Sequence, residues 1–304
     1  MSTTPIRTAV IPAAGLGTRL LPFTKAVPKE MLPIGDMPVI EHTVRELVAS
    51  GITDITIVVS GRKDLVQQHF RPDDDLLLQL TTAGKDELAA AVRAVVDLNA
   101  RISWVYQDGP YGNGTPIVNA ASRLGSEPVM VLWPDDVFVS KVPRAQQLMD
   151  AYAITGAPVL ALMPMDPADA PRYGVPIVEK DQGGGRLLVS GLVEKPKVED
   201  APSAYAAIGG YVITAPIIAE LEQQTHRWYE HRKGEVYLTD AINAHAAKHP
   251  VFGQVLEGTW WDTGSRLDYL KAQIAAAFAH REFGPELRQF AIDLGAHADP
   301  DATI

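Results

Sequence analysis

The stretch Thr8 to Gly35, TAVIPAAGLGTRLLPFTKAVPKEMLPIG, constrains the fold of this chain more than any other. Ala9-Val10-Ile11 is a short apolar run of the kind a buried strand requires, and it breaks at once into Ala13-Ala14-Gly15-Leu16-Gly17-Thr18-Arg19. Small residues at such a break let backbone N–H groups converge on anionic oxygens, and glycine takes positive φ at little cost. Arg19, Lys25 and Lys29 place three cations just after the turn, which suits a triphosphate. The loop lacks the Gly-Lys-Ser/Thr ending of a P-loop and the third glycine of a dinucleotide fingerprint. Pro22, Pro28 and Pro33 forbid an immediate long helix, so the segment is expected to lie as an extended lid over its ligand.

The rest of the chain supplies an α/β pattern around that loop. Pro38 opens a helix carrying Ile40, Val44, Leu47 and Val48, and Ile52 to Ser60 reads as a strand. Together they make a parallel β-α-β unit with its ligand site at the carboxyl ends of the strands. Asp64 to Leu98 reads as helices, with Asp73-Asp74-Asp75 as an acidic helix start. A strand at Ile102 to Tyr106 delivers Gln107, whose carboxamide has the donor and acceptor needed to pair with uracil or thymine. Pro128 to Trp133 is a strand ending in Asp135-Asp136, and a carboxylate at that place suits Mg²⁺, which needs few protein ligands. From Tyr173 to Val193 the pattern alternates around Gly183-Gly184-Gly185, as antiparallel strands do. Glycines at 209 and 210 in the strand Ile208 to Val212 admit close approach of a flat ligand face. Helices are expected at Pro216 to Gln224, at Thr239 to Lys248 with Thr239 as N-cap, and at Leu267 to Phe278, followed by a frayed tail.

Composition excludes several functions. A formal charge of −10 argues against a nucleic-acid backbone as partner, because counterion release needs a basic face. The chain has no cysteine, which removes disulfides, thiolate metal sites and cysteine nucleophiles. Its eight histidines are scattered and form no triad or zinc pattern. No apolar run reaches about 18 residues, and Met1 to Pro5 lacks a signal-peptide pattern, so the expectation is a soluble, cytoplasmic protein without a membrane partner.

Gly-Leu-Gly-Thr-Arg, Pro-Phe-Thr-Lys and Pro-Lys-Glu-Met-Leu-Pro-Ile together resemble the sugar-1-phosphate nucleotidylyltransferases, most closely the bacterial glucose-1-phosphate uridylyltransferases. Further motifs extend the resemblance over Thr8 to Ser265: Glu194-Lys195-Pro196, Gly234-Glu235 with Leu238-Thr239-Asp240-Ala241-Ile242, and Trp261-Asp262-Thr263-Gly264. The resemblance implies a Rossmann-like mixed, mainly parallel sheet flanked by helices, with a smaller antiparallel sugar-binding sheet. One domain spans 1–304, with a nucleotide-binding half near 6–160, a sugar-binding half near 161–265 and a C-terminal helix and tail over 266–304. It implies uridylyl transfer from UTP to glucose 1-phosphate, Mg²⁺ as cofactor and a homodimer or homotetramer.

Carried over by position, Arg19, Lys29 and Lys195 become the catalytic candidates. Ala13, Ala14, Gly15, Gly17, Thr18, Glu30, Gln107 and Gly112 become nucleotide-binding, with Gln107 and Gly112 meeting the base. Gly174, Glu194, Lys195 and Gly209 become sugar-binding, Glu194 accepting sugar hydroxyls and Lys195 meeting the sugar phosphate. Asp135 and Asp262 become the metal carboxylates, with Asp136 in a supporting place. Two departures stand out: Asn113-Gly114-Thr115-Pro116 where the family usually reads Leu-Gly-His-Ala, and Gly210 where it usually has Arg. A thymidylyltransferase, or a silent paralogue that binds sugar nucleotides, are the competing readings.

Overall fold

β1 (Thr8–Ala13) is buried on both faces, which is why its sequence is apolar nearly throughout rather than alternating. In the computed structural model, which describes residues 5–61 and 64–297, Ala9, Ile11 and Ala13 enter one core and Val10 enters the other. Met1 to Thr4, at the segment read above for a signal, and the end of the tail from 298 lie outside the described residues. The chain continues through the two-residue strands β2 (Pro33–Ile34) and β3 (Met37–Pro38) to α1 (Val39–Ala49) and β4 (Asp54–Val59). Helices α2 (Asp64–His69), α3 (Asp74–Thr82) and α4 (Asp86–Val96) lead to β5 (Arg101–Tyr106). Then come α5 (Thr115–Ala120), β6 (Val129–Leu132), β7 (Asp136–Val139), α6 (Arg144–Thr155) and β8 (Val159–Pro164). The second half of the chain runs β9 (Gly174–Asp181), β10 (Arg186–Glu194), β11 (Tyr205–Ile213), α7 (Ala215–His231) and α8 (Leu238–Ala246). It closes with β12 (Val251–Val255), β13 (Thr259–Asp262), α9 (Arg266–Ala279) and α10 (Gly284–His297).

Nine strands form one mixed sheet in the order β5-β4-β1-β6-β11-β8-β12-β10-β9. β5, β4, β1 and β6 pair parallel, so the loops that follow them open along the same edge. β11 runs antiparallel between β6 and β8, and β9, β10 and β12 continue the sheet with antiparallel β9–β10 and β10–β12 pairs. One face carries Ile40, Val44 and Leu47 of α1 and Leu148 of α6; the other carries Ile117 of α5, Leu221 of α7 and Ile242 of α8.

Three sequence expectations are corrected. Residues 18–31 are not an extended lid but three single 3-10 turns, at Thr18–Leu20, Phe23–Lys25 and Lys29–Met31. Proline's fixed φ suits the start of a tight turn, and here Lys25 N–H donates to Pro22 O and Met31 N–H to Pro28 O. Leu20, Leu32 and Ile34 then pack with Ala272 of α9, so the segment is anchored to the body. Thr239 is not the N-cap of α8; Tyr237 is, and Thr239 lies within the first turn. The tail expected to fray beyond α9 forms the further helix α10. No helix among the described residues is long and apolar enough to cross a membrane.

Candidate active site

Parallel pairing decides the neighbourhood of the site. The glycine loop follows β1, Gln107 follows β5 and Asp135 follows β6, so all three emerge at one sheet edge. Gln107 N–H donates to Val59 O, 2.8 Å away, which extends the β4–β5 ladder and fixes where its side chain begins. Antiparallel β11 enters from the opposite direction, and Trp133 N–H donates to Gly209 O at 3.1 Å, which sets Gly209 beside the end of β6.

The glycine loop is shaped by what lies under it. Gly17 has φ +66°, and a side chain there would meet Lys29 Cβ and Thr24 Cγ2, each at 3.3 Å. Thr24 Oγ1 donates to Gly17 O at 2.8 Å and fixes the turn. A side chain on Gly15 would lie 3.8 Å from Lys29 Cε, so the lysine stem runs directly beneath the loop. It ends at Asp135, with Nζ 2.5 Å from Oδ2. Burial opposes charge on both groups, yet their mutual attraction outweighs it: Lys29 is held above its ordinary pKa, with Glu30 adding to the effect, and Asp135 below its own.

Asp262 arrives by a second route. β13 pairs antiparallel with β7, Asp262 opposite Asp136, and Thr263 donates to Asp135 O through both N–H and Oγ1 at 2.8 Å. A side chain on Gly264 would occupy a point 3.0 Å from Asp135 Oδ2, 3.0 Å from Asp262 Oδ1 and 2.7 Å from Arg19 Nη2. Two carboxylates thus converge on one small space, where a hard divalent cation completes its shell with water and substrate phosphate oxygens. Among the described residues no cluster of three or more His, Cys, Asp or Glu side chains has metal-ligand geometry. Arg19 Nη1 and Arg172 Nη2 each stand 3.4 Å from Asp262 Oδ2.

Asp136 braces the floor. Its Oδ2 accepts from Gly209 N–H at 2.9 Å and its Oδ1 from Trp260 Nε1. Burial and the neighbouring Asp135 and Asp262 charges push its pKa up to about 7. A side chain on Gly209 would fall 2.1 Å from Asp136 Oδ2, so only glycine fits. Trp260 in turn stacks edge-on against Tyr173, ring centroids 5.0 Å apart.

An open cleft of about 540 Å³ joins these groups to the far half of the site, with Arg19, Lys29, Asp135 and Asp262 on one side and Gly174, Glu194 and Lys195 on the other. Thr239 Oγ1 donates to Glu194 Oε2 at 3.0 Å, and Lys195 Nζ stands 3.5 Å from Glu194 Oε1. Lys195 holds φ +47°, a left-handed conformation that costs a non-glycine residue about 1–3 kcal/mol. It is held there partly by its N–H donating to Tyr173 O.

Not every candidate faces this cleft. Ala13 ends buried β1 and Glu30 is 1 % exposed. Gly112 is turned onto the segment before α8, where a side chain would meet Val236 O at 2.1 Å. The departure at Gly210 also has a structural counterpart. A side chain there would meet Arg144 Cδ at 3.1 Å, and Arg144, fully buried, pairs with Glu46 at 3.0 Å and donates to Gly209 O. The space beside Gly210 is thus filled by Arg144, the first residue of α6.

Sequence reasoning missed Arg172 and Trp260 and noted Asn113 only as a departure; all three lie in the cleft wall. Arg172 had a faint signal, its place before Tyr173-Gly174, but its ion pair with Asp268 at 2.8 Å spans 96 positions.

A nucleotidyl transferase family model matches residues 8–277. The chain is 41 % identical over 285 residues to the UTP–glucose-1-phosphate uridylyltransferase of Staphylococcus epidermidis, covering 94 % of this chain and 97 % of that protein. It is 37 % identical to the enzyme of the same name from Streptococcus pneumoniae, over 96 % and 97 % of the two chains. A solved structure described as UTP-bound UGPase from Acinetobacter baumannii aligns with a TM-score of 0.86 at 32 % identity, covering 95 % of this chain and 99 % of that one. Matched over nearly its whole length in sequence and in fold, the chain belongs to the nucleotidyl transferase family.

Proposed function

We propose that the protein transfers a uridylyl group from UTP to glucose 1-phosphate, giving UDP-glucose and pyrophosphate. The observation that carries this reading is the single cleft in which the Lys29–Asp135 pair and Asp262 face Glu194 and Lys195. The relatives named for this reaction match 94 % and 96 % of the chain, which supports the choice of UTP and glucose 1-phosphate.

A phosphate oxygen of glucose 1-phosphate attacks the α-phosphorus of UTP, and the bond from that phosphorus to the oxygen bridging it to the β-phosphate breaks. The nucleophile is already an anion, so the protein need supply no general base. The barrier is repulsion between two anions and charge building on the leaving pyrophosphate, and fixed positive groups lower both. Backbone N–H groups of Ala14, Gly15, Gly17 and Thr18 would line the triphosphate, Arg19 would hold the leaving pyrophosphate, and Lys29 would neutralise the α-phosphate. Lys195 would receive the sugar phosphate and Glu194 would accept from sugar hydroxyls. Gln107 and Gly112 would meet the uracil, placing the nucleotide over residues 6–160 and the sugar over 161–265. Asp135 and Asp262 would hold Mg²⁺, which supplies charge neutralisation and alignment at the α-phosphate when bound.

The test is pyrophosphate release across a matrix of UTP, dTTP, CTP and GTP against several sugar 1-phosphates, with and without Mg²⁺. UTP with glucose 1-phosphate is expected to give the highest kcat/KM. A higher value with dTTP would replace the uridylyl assignment, and binding of UDP-glucose without turnover would replace the enzymatic one.

A further inference from the structure

Among the departures noted in the sequence, Asn113 is the one whose side chain reaches the cleft. Its Oδ1 accepts from Leu238 N–H at 2.8 Å. A donor N–H must face oxygen, so this bond fixes which end of the carboxamide is which and leaves the NH₂ group turned away from α8. That NH₂ has no acceptor among the described residues, and it is not sealed from solvent. The loop that carries it cannot drift, because Val236 N–H donates to Tyr111 O and Gly114 N–H to Val236 O, both at 2.9 Å.

Glu194, held beside Asn113, supplies the complementary chemistry. Leu238, which holds Asn113, precedes Thr239, which holds Glu194, so one turn of α8 fixes both side chains. Glu194 as a carboxylate only accepts hydrogen bonds. A sugar hydroxyl donates one and accepts others, and a carboxylate leaves its accepting capacity unmet. The fixed amide NH₂ of Asn113, held on the same turn of α8, meets it.

We infer that Asn113 is a specificity-determining residue that donates to a sugar hydroxyl and works beside Glu194 in selecting the sugar 1-phosphate. The assignment rests on the reading above that the Glu194 side of the cleft takes the sugar. A site built to hydrogen-bond a hydroxyl rejects the analogue that lacks it, because its polar groups are then left unpaired.

The experiment compares glucose 1-phosphate with its 2-, 3-, 4- and 6-deoxy forms at saturating UTP, for the wild type, Asn113→Asp and Asn113→Leu. Asn113→Asp keeps an acceptor for Leu238 N–H but has no NH₂, and Asn113→Leu lacks both. One deoxy sugar is expected to lose about tenfold in kcat/KM with the wild type. The penalty for the same sugar is expected to shrink to about threefold with either variant, because its bond to Glu194 remains, while KM for UTP stays within about twofold of wild type. Equal penalties for every deoxy sugar in all three proteins overturn the inference, as does an effect confined to KM for UTP. Loss of selectivity in Asn113→Leu alone would reduce Asn113 to a cap for α8 and overturns it too. A wild type that makes no UDP-glucose overturns the parent reading and this assignment together, whereas an active wild type with unaltered variants overturns the assignment alone.

Discussion

Lys29 Nζ lies 2.5 Å from Asp135 Oδ2, although the two residues are 106 positions apart in sequence. The pair joins the turn beneath the glycine loop to the end of β6, and each partner keeps the other charged against the cost of burial. Asp136 and Asp262 stand nearby, and burial together with the charges of Asp135 and Asp262 pushes Asp136 toward its neutral form.

Removing Lys29 is expected to disable the site without unfolding the protein. Lys29→Met should lower kcat/KM for UTP and glucose 1-phosphate by at least about 10², the usual loss for one fixed transition-state charge. Circular dichroism should be unchanged. Turnover within about tenfold of wild type would remove Lys29 from the reaction.

Gly264→Ala tests the convergence of the carboxylates. The new methyl would enter a space bounded at 2.7 Å by Arg19 Nη2 and at 3.0 Å by Asp135 Oδ2 and Asp262 Oδ1. Gly264 N–H holds the Asp262 carboxylate and Lys29 Nζ holds that of Asp135, so the methyl cannot be absorbed by rotating them away. Activity should fall about 10²-fold, the scale of a small misplacement of reacting groups, and Mg²⁺ titration should shift to weaker binding.

Gly112→Ala should act on stability as well as turnover. At φ +126° its Cβ would sit 2.1 Å from Val236 O, backbone against backbone, with no flexible side chain to yield. Urea unfolding is expected to show a loss of about 1–3 kcal/mol.

Glu41 sets an acid limit on stability. It is 3 % exposed, accepts from Arg45 Nε at 2.7 Å and lies 2.7 Å from His69 Nε2. Burial favours its neutral form, but those two partners outweigh burial and hold its pKa below the ordinary 4.5. The stability it contributes is therefore complete above that ordinary value and is lost as pH falls through the lower folded one. Urea unfolding at several pH values should find Glu41→Gln about 1–3 kcal/mol less stable at pH 7, with the gap narrowing below about pH 4.

Arg144 is 0 % exposed and pairs with Glu46 while donating to Gly209 O at 3.1 Å. Arg144→Leu leaves the Glu46 carboxylate uncompensated and should cost about 3–5 kcal/mol in chemical unfolding. Adding Glu46→Leu should recover part of that loss, because the desolvated charge is then gone.

The strand before the glycine loop, the alternation of strands and helices, and Asp135 at a strand end were all legible, because each follows from local periodicity or from chain direction. The prolines after the loop were read correctly as helix breakers but wrongly as extended chain, since the same fixed φ serves a tight turn. Thr239 looked like a cap from its place before Asp240-Ala241, and only the packing of α8 against β10 turned its hydroxyl toward Glu194.

By itself the sequence determined which segments are strands and helices and which residues carry charge at their ends, for these depend on neighbours within a few positions. The tertiary structure decided which of the distant residues meet. Lys29 with Asp135, Arg19 with Asp262 and Asn113 with Leu238 are separated by 106, 243 and 125 positions, and strand order and the β7–β13 pairing bring them together. No periodicity encodes such contacts, because they arise only when the sheet closes and its edge gathers loops from distant parts of the chain.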